Sequence, residues 1–276
     1  MNVLRYAAFA HEGAGGNPAG VMIVDTLPSP EGMQRIAFEV GYSETVFAQP
    51  DDTGGYRVRY FSPESEVPFC GHATIALGAA LAELHGPGVF RLSLNDAAIT
   101  VEGMLDGGSA RAALQSPPTK SRPAEADLVA AALALFSFTP ADLDERIPPV
   151  VAEAGATHLI LALTSRDRLA GMNYRLAEGR TLMRHRGLVT INLVHASSDT
   201  TFSVRNAFAS GGIIEDPATG AAAAALAGYL RQLDWPHCGR IEIAQGDDMG
   251  CPSRIIAEIP PETGASIRIS GRVRAL

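Results

Sequence analysis

A thiol and an imidazole two residues apart, Cys70 and His72, stand near the head of the stretch EVPFCGHATIALGAALAEL (residues 66–84). Three chemistries use such a pair: a Cys/His nucleophile and base, half of a metal site, or polar residues that open a buried helix. The spacing argues against the first, because side chains at i and i+2 of a helix start point in different directions. Metal ligation lacks companions. His11, His85, His158, His185, His195 and His237 are scattered, with no H-x-x-x-H pattern and no carboxylate at ligand spacing. The stretch HEGAGGNPAG (residues 11–20) lacks both the GxxxxGK[ST] pattern and a G-x-G-x-x-G after a strand, so it makes no phosphate loop. No cofactor is expected.

The stretch has a copy. Laid over EDPATGAAAAALAGYLRQL (residues 215–233), it puts Glu66 on Glu215, Pro68 on Pro217, Gly71 on Gly220 and Leu77 on Leu226, an offset of 149 residues. Downstream, RLSL falls on RIEI at the same offset, with Arg91 on Arg240. Upstream, YRVR (residues 56–59) falls on FSVR (residues 202–205) at an offset of 146, so the second copy carries three extra residues between strand and helix. Strand, E-x-P-x-x-G turn, small-residue helix and strand occur once in each half. Both helices are almost uncharged until their last turn, which predicts burial on all faces rather than on one stripe. The economical architecture is a curved, mostly antiparallel sheet wrapped around one central helix, built twice. Each helix start would then offer free backbone N–H groups and a positive dipole end, suited to a carboxylate or a developing enolate.

Other runs fit this frame. VMIVD, TVFAQ, YRVRYF, VFRLSL, THLILAL, TFSVRNAF, RIEIAQ and RIIAEI read as strands. SPEGMQRIAFEVG reads as a helix started by Ser29 or Pro30 and ended by Gly41, and PAEADLVAAALALF as a second. The Pro/Ser-rich QSPPTKSRPAEAD (residues 115–127), which holds the only lysine, marks a linker or domain edge. In 276 residues, 46% hydrophobic, 22 basic against 30 acidic side chains leave a formal charge of -8 and no basic cluster, which argues against a nucleic-acid partner. Three cysteines without C-x-x-C spacing suit a reducing compartment. No apolar run is long enough to cross a bilayer, so a soluble, cytoplasmic protein without membrane contact is expected.

Five ordered motifs, GNPAGVMIVD (residues 16–25), GYSETVF (41–47), YFSPESEVPFCGHAT (60–74), EDPATGA (215–221) and QGDDMGCPSRI (245–255), span nearly the whole chain. Together they resemble the PhzF-like family of phenazine-biosynthesis-type isomerases in the diaminopimelate epimerase superfamily. The resemblance agrees with the repeat: an α+β fold of two pseudo-symmetric domains, each a mostly antiparallel β-barrel around a central α-helix. Residues 1–118 would form the N-terminal barrel and residues 119–276 the C-terminal one, the last strand being free to return to the first domain. An active site between the domains and a homodimer are implied as well.

The resemblance further implies cofactor-independent proton transfer on a small carboxylate or amino-acid-like substrate. It assigns the general acid/base to Glu44, with His72 and Asp216 assisting. Asn17 and Ser43 would line the substrate site, and Gly71 and Gly220 would present backbone N–H groups to it. Ala221 stands where the family usually has a serine, which separates this chain from the phenazine-pathway substrate itself. On its own terms, Glu44 lies inside the apolar VGYSETVFA, where a carboxylate can both accept and return a proton. His72 could bind a substrate carboxylate or pass on a proton. Asp216 reads either as a helix cap or as a group that orients His72 and the substrate. Two other readings remain: a cysteine-dependent epimerase or racemase using Cys70, and a non-catalytic small-molecule-binding protein on the same fold. Cys238 and Cys251 lie outside the motifs, so a two-thiol mechanism lacks a partner for Cys70.

Overall fold

The computed structural model describes residues 3–95, 97–107 and 109–276. The chain forms two compact units, one of residues 1–115 and 270–276 and a second of residues 116–269. The first contains β1 (Leu4–Ala8), β2 (Asn17–Ile23), α1 (Pro30–Val40), β3 (Glu44–Pro50), β4 (Tyr56–Phe61), the two-residue β5 (Glu66–Val67), α2 (Gly71–His85), β6 (Gly88–Ser93), β7 (Ala98–Asp106) and β8 (Ser109–Gln115). The second contains β9 (Lys120–Pro123), α3 (Ala126–Leu135), β10 (Val150–Glu153), β11 (Thr157–Ala162), α4 (Arg166–Ala170), α5 (Leu176–His185), β12 (Thr190–Ala196), β13 (Thr201–Ala207), β14 (Glu215–Asp216), α6 (Gly220–Gln232), β15 (Arg240–Gln245) and β16 (Ser253–Glu258). The last strand, β17 (Arg268–Ala275), pairs along β1 in the first unit.

The first unit closes into an eight-stranded barrel, β17-β1-β2-β3-β4-β6-β7-β8 and back to β17. Only β2–β3 and β4–β6 are described as parallel. Helix α2 touches β1, β2, β3, β6, β7 and β8, and His72 to Ala82 are all buried. Such enclosure requires small residues where helix meets strand. A Cβ on Gly103 of β7 would collide with the Gly78 carbonyl oxygen of α2, and one on Gly78 with Val101. On the outside of the barrel, α1 packs Met33 and Ala37 against Met22, Phe47 and Phe61. Ser29 caps this helix, accepting from Gly32 N, and Gly41 ends it with φ 73°.

The second unit repeats the order as β9-β10-β11-β12-β13-β15-β16, with α6 against β9, β10, β11 and β16. Its outer face packs Leu159, Leu161, Ile191 and Leu193 under α3, α4 and α5. The alternate residues of β11 and β12, among them His158, Thr190 and Asn192, therefore face the other way. The Pro/Ser-rich stretch is not a free linker, since its residues 120–123 form β9, paired with β10. Among the described residues no helix is long and apolar enough to cross a membrane.

Strand pairing verifies the duplication and corrects one part of it. Phe61 opposes Glu66 in the first unit and Ala207 opposes Glu215 in the second, as offsets of 146 and 149 require. After the helices, however, Tyr56 pairs with Leu92 whereas its counterpart Phe202 pairs with Ile243, an offset of 151. Placing Arg91 on Arg240 is thus two residues out of register. A slip of two keeps every side chain on its face, so the alternating pattern could not expose it.

Each copy clasps its E-x-P turn with an arginine from the preceding strand. Arg59 Nη2 lies 2.6 Å from Glu66 Oε2, and Arg205 Nε donates to Glu215 Oε1 at 3.0 Å. The second pair is deeper, with side chains 11% and 3% exposed against 19% and 27%. Replacing Glu215 by Gln should therefore cost about 3 kcal/mol, because Arg205 would be left charged in a buried setting, while Glu66→Gln should cost about 1 kcal/mol or less. Urea denaturation of both variants measures the difference.

Burial pushes the His158 imidazole down from 6.5 to about 4. Its folded pKa lies below its unfolded value, so stability is complete above about pH 6.5 and falls as pH is lowered, when only the unfolded chain takes up the proton. The loss should approach about 3 kcal/mol near pH 4. His158→Gln should remove this component from the pH dependence of urea denaturation.

Candidate functional site

Four element ends meet at one end of the first barrel. Gly41 turns the chain out of α1 so that Ser43 and Glu44 arrive at the start of β3. In the parallel pairing of β2 and β3, Glu44 lies beside Ala19, whose face is shared by Asn17 at the start of β2. Cys70 is the N-cap of α2, and His72 lies in its first turn.

His72 is the hub of the group. Its Nε2 lies 3.4 Å from Glu44 Oε2 and 3.4 Å from Ser43 Oγ. Its Nδ1 lies 3.3 Å from Asn17 Nδ2 and 3.3 Å from Cys70 Sγ. With the Asn17 amide donating to Nδ1, the ring proton belongs on Nε2, facing the Glu44 carboxylate. The His72 and Glu44 side chains are 9% and 16% exposed, so both are shielded but reachable.

The proximity of Cys70 to His72 corrects the expectation that their side chains diverge. That rule holds within a helix, and Cys70 is outside it: at φ -141° and ψ 116° its backbone is extended, which swings the sulfur back over the imidazole. The grouping also bears on metal ligation. Glu44, Cys70 and His72 each bring one potential ligand atom, all within 4.8 Å of one another. His72 therefore has a carboxylate companion in space that no sequence spacing could display.

In the second unit, Asp216 is nine-tenths buried and holds a different network. Thr219, the N-cap of α6, donates its hydroxyl to Asp216 Oδ2. Asn206 Nδ2 donates to Thr219 Oγ1 at 2.6 Å. Gln245 brackets the turn, donating to the Asp216 carbonyl at 2.7 Å and accepting from Thr219 N at 3.2 Å. Asp216 is thus not the helix cap; it is the group that the cap residue holds. Neither Thr219 nor Gln245 stands out in the sequence, although both lie inside the motifs EDPATGA and QGDDMGCPSRI. Their only signal in the sequence is a polar side chain at a helix start and at the end of an apolar strand.

The repeat shows how the side chains of the two copies differ at matching positions. Glu44, Cys70 and His72 correspond to Thr190, Thr219 and Ala221, while Asp216 corresponds to Val67. Acid/base side chains thus stand in one copy and an anchored carboxylate in the other. Gly71 and Gly220 open the two helices and are partly exposed, as is Ala221, whereas the helix bodies behind them are buried.

A closed barrel around a buried helix, with its strand order repeated against a second buried helix, defines an α+β protein of the epimerase-like fold. The family model for "Phenazine biosynthesis-like protein" matches residues 6–274, so the chain belongs to that family and is an isomerase. Among its relatives, a trans-2,3-dihydro-3-hydroxyanthranilate isomerase of Pseudomonas aeruginosa is 34% identical over 96% of this chain and 93% of its own length. A PhzF-family phenazine biosynthesis protein of Bacillus anthracis superposes with a TM-score of 0.87 at 22% identity, covering 100% of this chain and 98% of the other. A protein of Pseudomonas aeruginosa titled a predicted epimerase gives 0.85 at 25% identity, covering 99% and 96%.

A thiol mechanism would need a second sulfur, yet the counterpart of Cys70 is Thr219, and the remaining cysteines, Cys238 and Cys251, lie after α6. Cys70→Ala should accordingly leave turnover within about threefold of wild type, less than the ~10²-fold or greater loss expected for a proton-transfer residue. Steady-state kinetics with any accepted substrate makes the comparison.

Proposed function

We propose that Glu44 moves a proton between two positions of a small carboxylate or amino-acid-like substrate without a cofactor. The observation that carries this reading is the shielded Glu44 carboxylate facing His72 Nε2 at 3.4 Å. Glu44 takes a proton from a carbon next to an electron-withdrawing group, and the electron pair of that C–H bond passes into the conjugated system. The protonated Glu44 then returns the proton to another carbon of that system, or to the other face of the same one. His72 steadies the carboxylate in both states by hydrogen bonding, and Asn17 and Ser43 hold the imidazole in register. Backbone N–H groups at Gly71 and Gly220 suit the anionic oxygens of the substrate. The anchored Asp216 suits a substrate amino or hydroxyl group.

The relative from Pseudomonas aeruginosa is named for trans-2,3-dihydro-3-hydroxyanthranilate. In this chain Ala221 offers no hydroxyl, which favours a substrate of the same chemical class that needs no hydrogen bond there. The cysteine-dependent alternative draws on one observation, the 3.3 Å approach of Cys70 Sγ to His72 Nδ1.

Glu44→Gln keeps the shape of the side chain and removes its proton affinity. Turnover and the incorporation of solvent deuterium into candidate carboxylates should both fall by about 10²- to 10⁴-fold. Normal exchange in this variant would remove Glu44 from the mechanism.

A further inference from the structure

The inner face of the second unit's sheet carries polar groups that no group among the described residues satisfies. His158 Nε2, both side-chain atoms Asn192 Nδ2 and Oδ1, and Asn206 Oδ1 are buried without a hydrogen-bond partner among the described residues. The three residues are 0%, 1% and 0% exposed. Strand register makes them neighbours. His158 lies beside Thr190 across the parallel β11–β12 pair, Asn192 follows two residues on and shares that face, and Asn206 sits opposite Asn192 on β13. His158 Nδ1 and Thr190 Oγ1 are 2.7 Å apart, which leaves Nε2 as the open end of the ring.

Four orphaned atoms at adjoining positions form a coherent set, since buried polar groups in folded proteins are otherwise paired with protein or with internal water. The first barrel carries apolar or paired side chains at the matching positions. At the positions of His158, Asn192 and Asn206 it has Ala19, Val46 and Tyr60, and the Tyr60 hydroxyl is paired with Thr74 Oγ1 at 2.7 Å. The second copy thus replaces two apolar side chains and a satisfied phenol with three polar side chains that are only partly satisfied.

We propose that the second unit encloses a water site built by His158 Nε2, the Asn192 carboxamide and Asn206 Oδ1. The set has at least one donor, Asn192 Nδ2, and at least two acceptors, and it has no formal charge, which selects a small neutral molecule able to donate and accept at once. Water meets that description and needs two to four polar partners, which these residues supply. Through Asn206 Nδ2, Thr219 Oγ1 and Asp216 Oδ2, the site is the far end of the chain that holds the Asp216 carboxylate. The catalytic weight given to Asp216 rests on the proposed function; the water site does not.

A high-resolution crystal structure of the full chain tests the site directly. At least one ordered water hydrogen-bonded to two or more of the four atoms is the expected result. Direct pairing of the Asn192 and Asn206 side chains, or an empty interior, would overturn it. In solution, nuclear Overhauser transfer from water to the Asn192 side-chain amide is expected in the wild-type protein, and its absence counts equally against the site. Failure of the Asp216 assignment would appear separately, as an Asp216→Asn variant with unchanged turnover and the water still in place.

Discussion

Helix α2 is buried from His72 to Ala82, and a helix enclosed on every side imposes conditions on everything around it. Its own hydrogen bonds satisfy the middle of its backbone, so the surrounding strands can be apolar and close. Close approach demands small residues at the contact, which is why Gly78 meets Gly103 where any Cβ would collide. The exception is the first turn, whose N–H groups have no partner within the helix. Polar chemistry is therefore driven to the helix start, and that is where Asn17, Ser43, Glu44, Cys70 and His72 gather.

The same constraint operates in the second unit, and the outcome differs because the side chains have diverged. Both copies keep the framework of the turn, with Arg59 on Glu66 and Arg205 on Glu215. Around that common clasp, the first copy holds a carboxylate, an imidazole and a thiol in mutual contact, and the second holds Asp216 through Thr219 and Asn206. Duplication supplied one geometry twice, and substitution gave each copy its own chemistry. The polar inner face of the second unit's sheet, with His158 pushed down to about 4 by burial, belongs to this divergence.

Much of this is legible in the order of residues. The uncharged helices announce their own burial, the E-x-P-x-x-G turns mark the repeat, and Ser29 and Gly41 bracket α1 as their cap chemistry predicts. Less legible are the short strands β9, β10 and β14, of two to four residues each, which are too brief for alternation to register. The position of β15 against β13 differs by two residues from the one the repeat suggests, because a slip that preserves facing leaves no trace in a hydrophobic pattern.

The duplication, the family, the buried helices and the set of candidate residues can all be read along the chain, since they rest on periodicity, turn chemistry and motif order, all of them local properties. Tertiary structure decided which side chains meet. Glu44 faces His72 from 28 positions away because parallel β2 and β3 bring their ends to the head of α2. Cys70 turns back onto His72 because an N-cap residue is extended rather than helical, and Asp216 is held by Thr219 rather than capping the helix itself. The polar atoms left open around His158 likewise emerge only from register. Contacts between distant positions depend on strand pairing and backbone direction, which no run of neighbouring residues encodes alone.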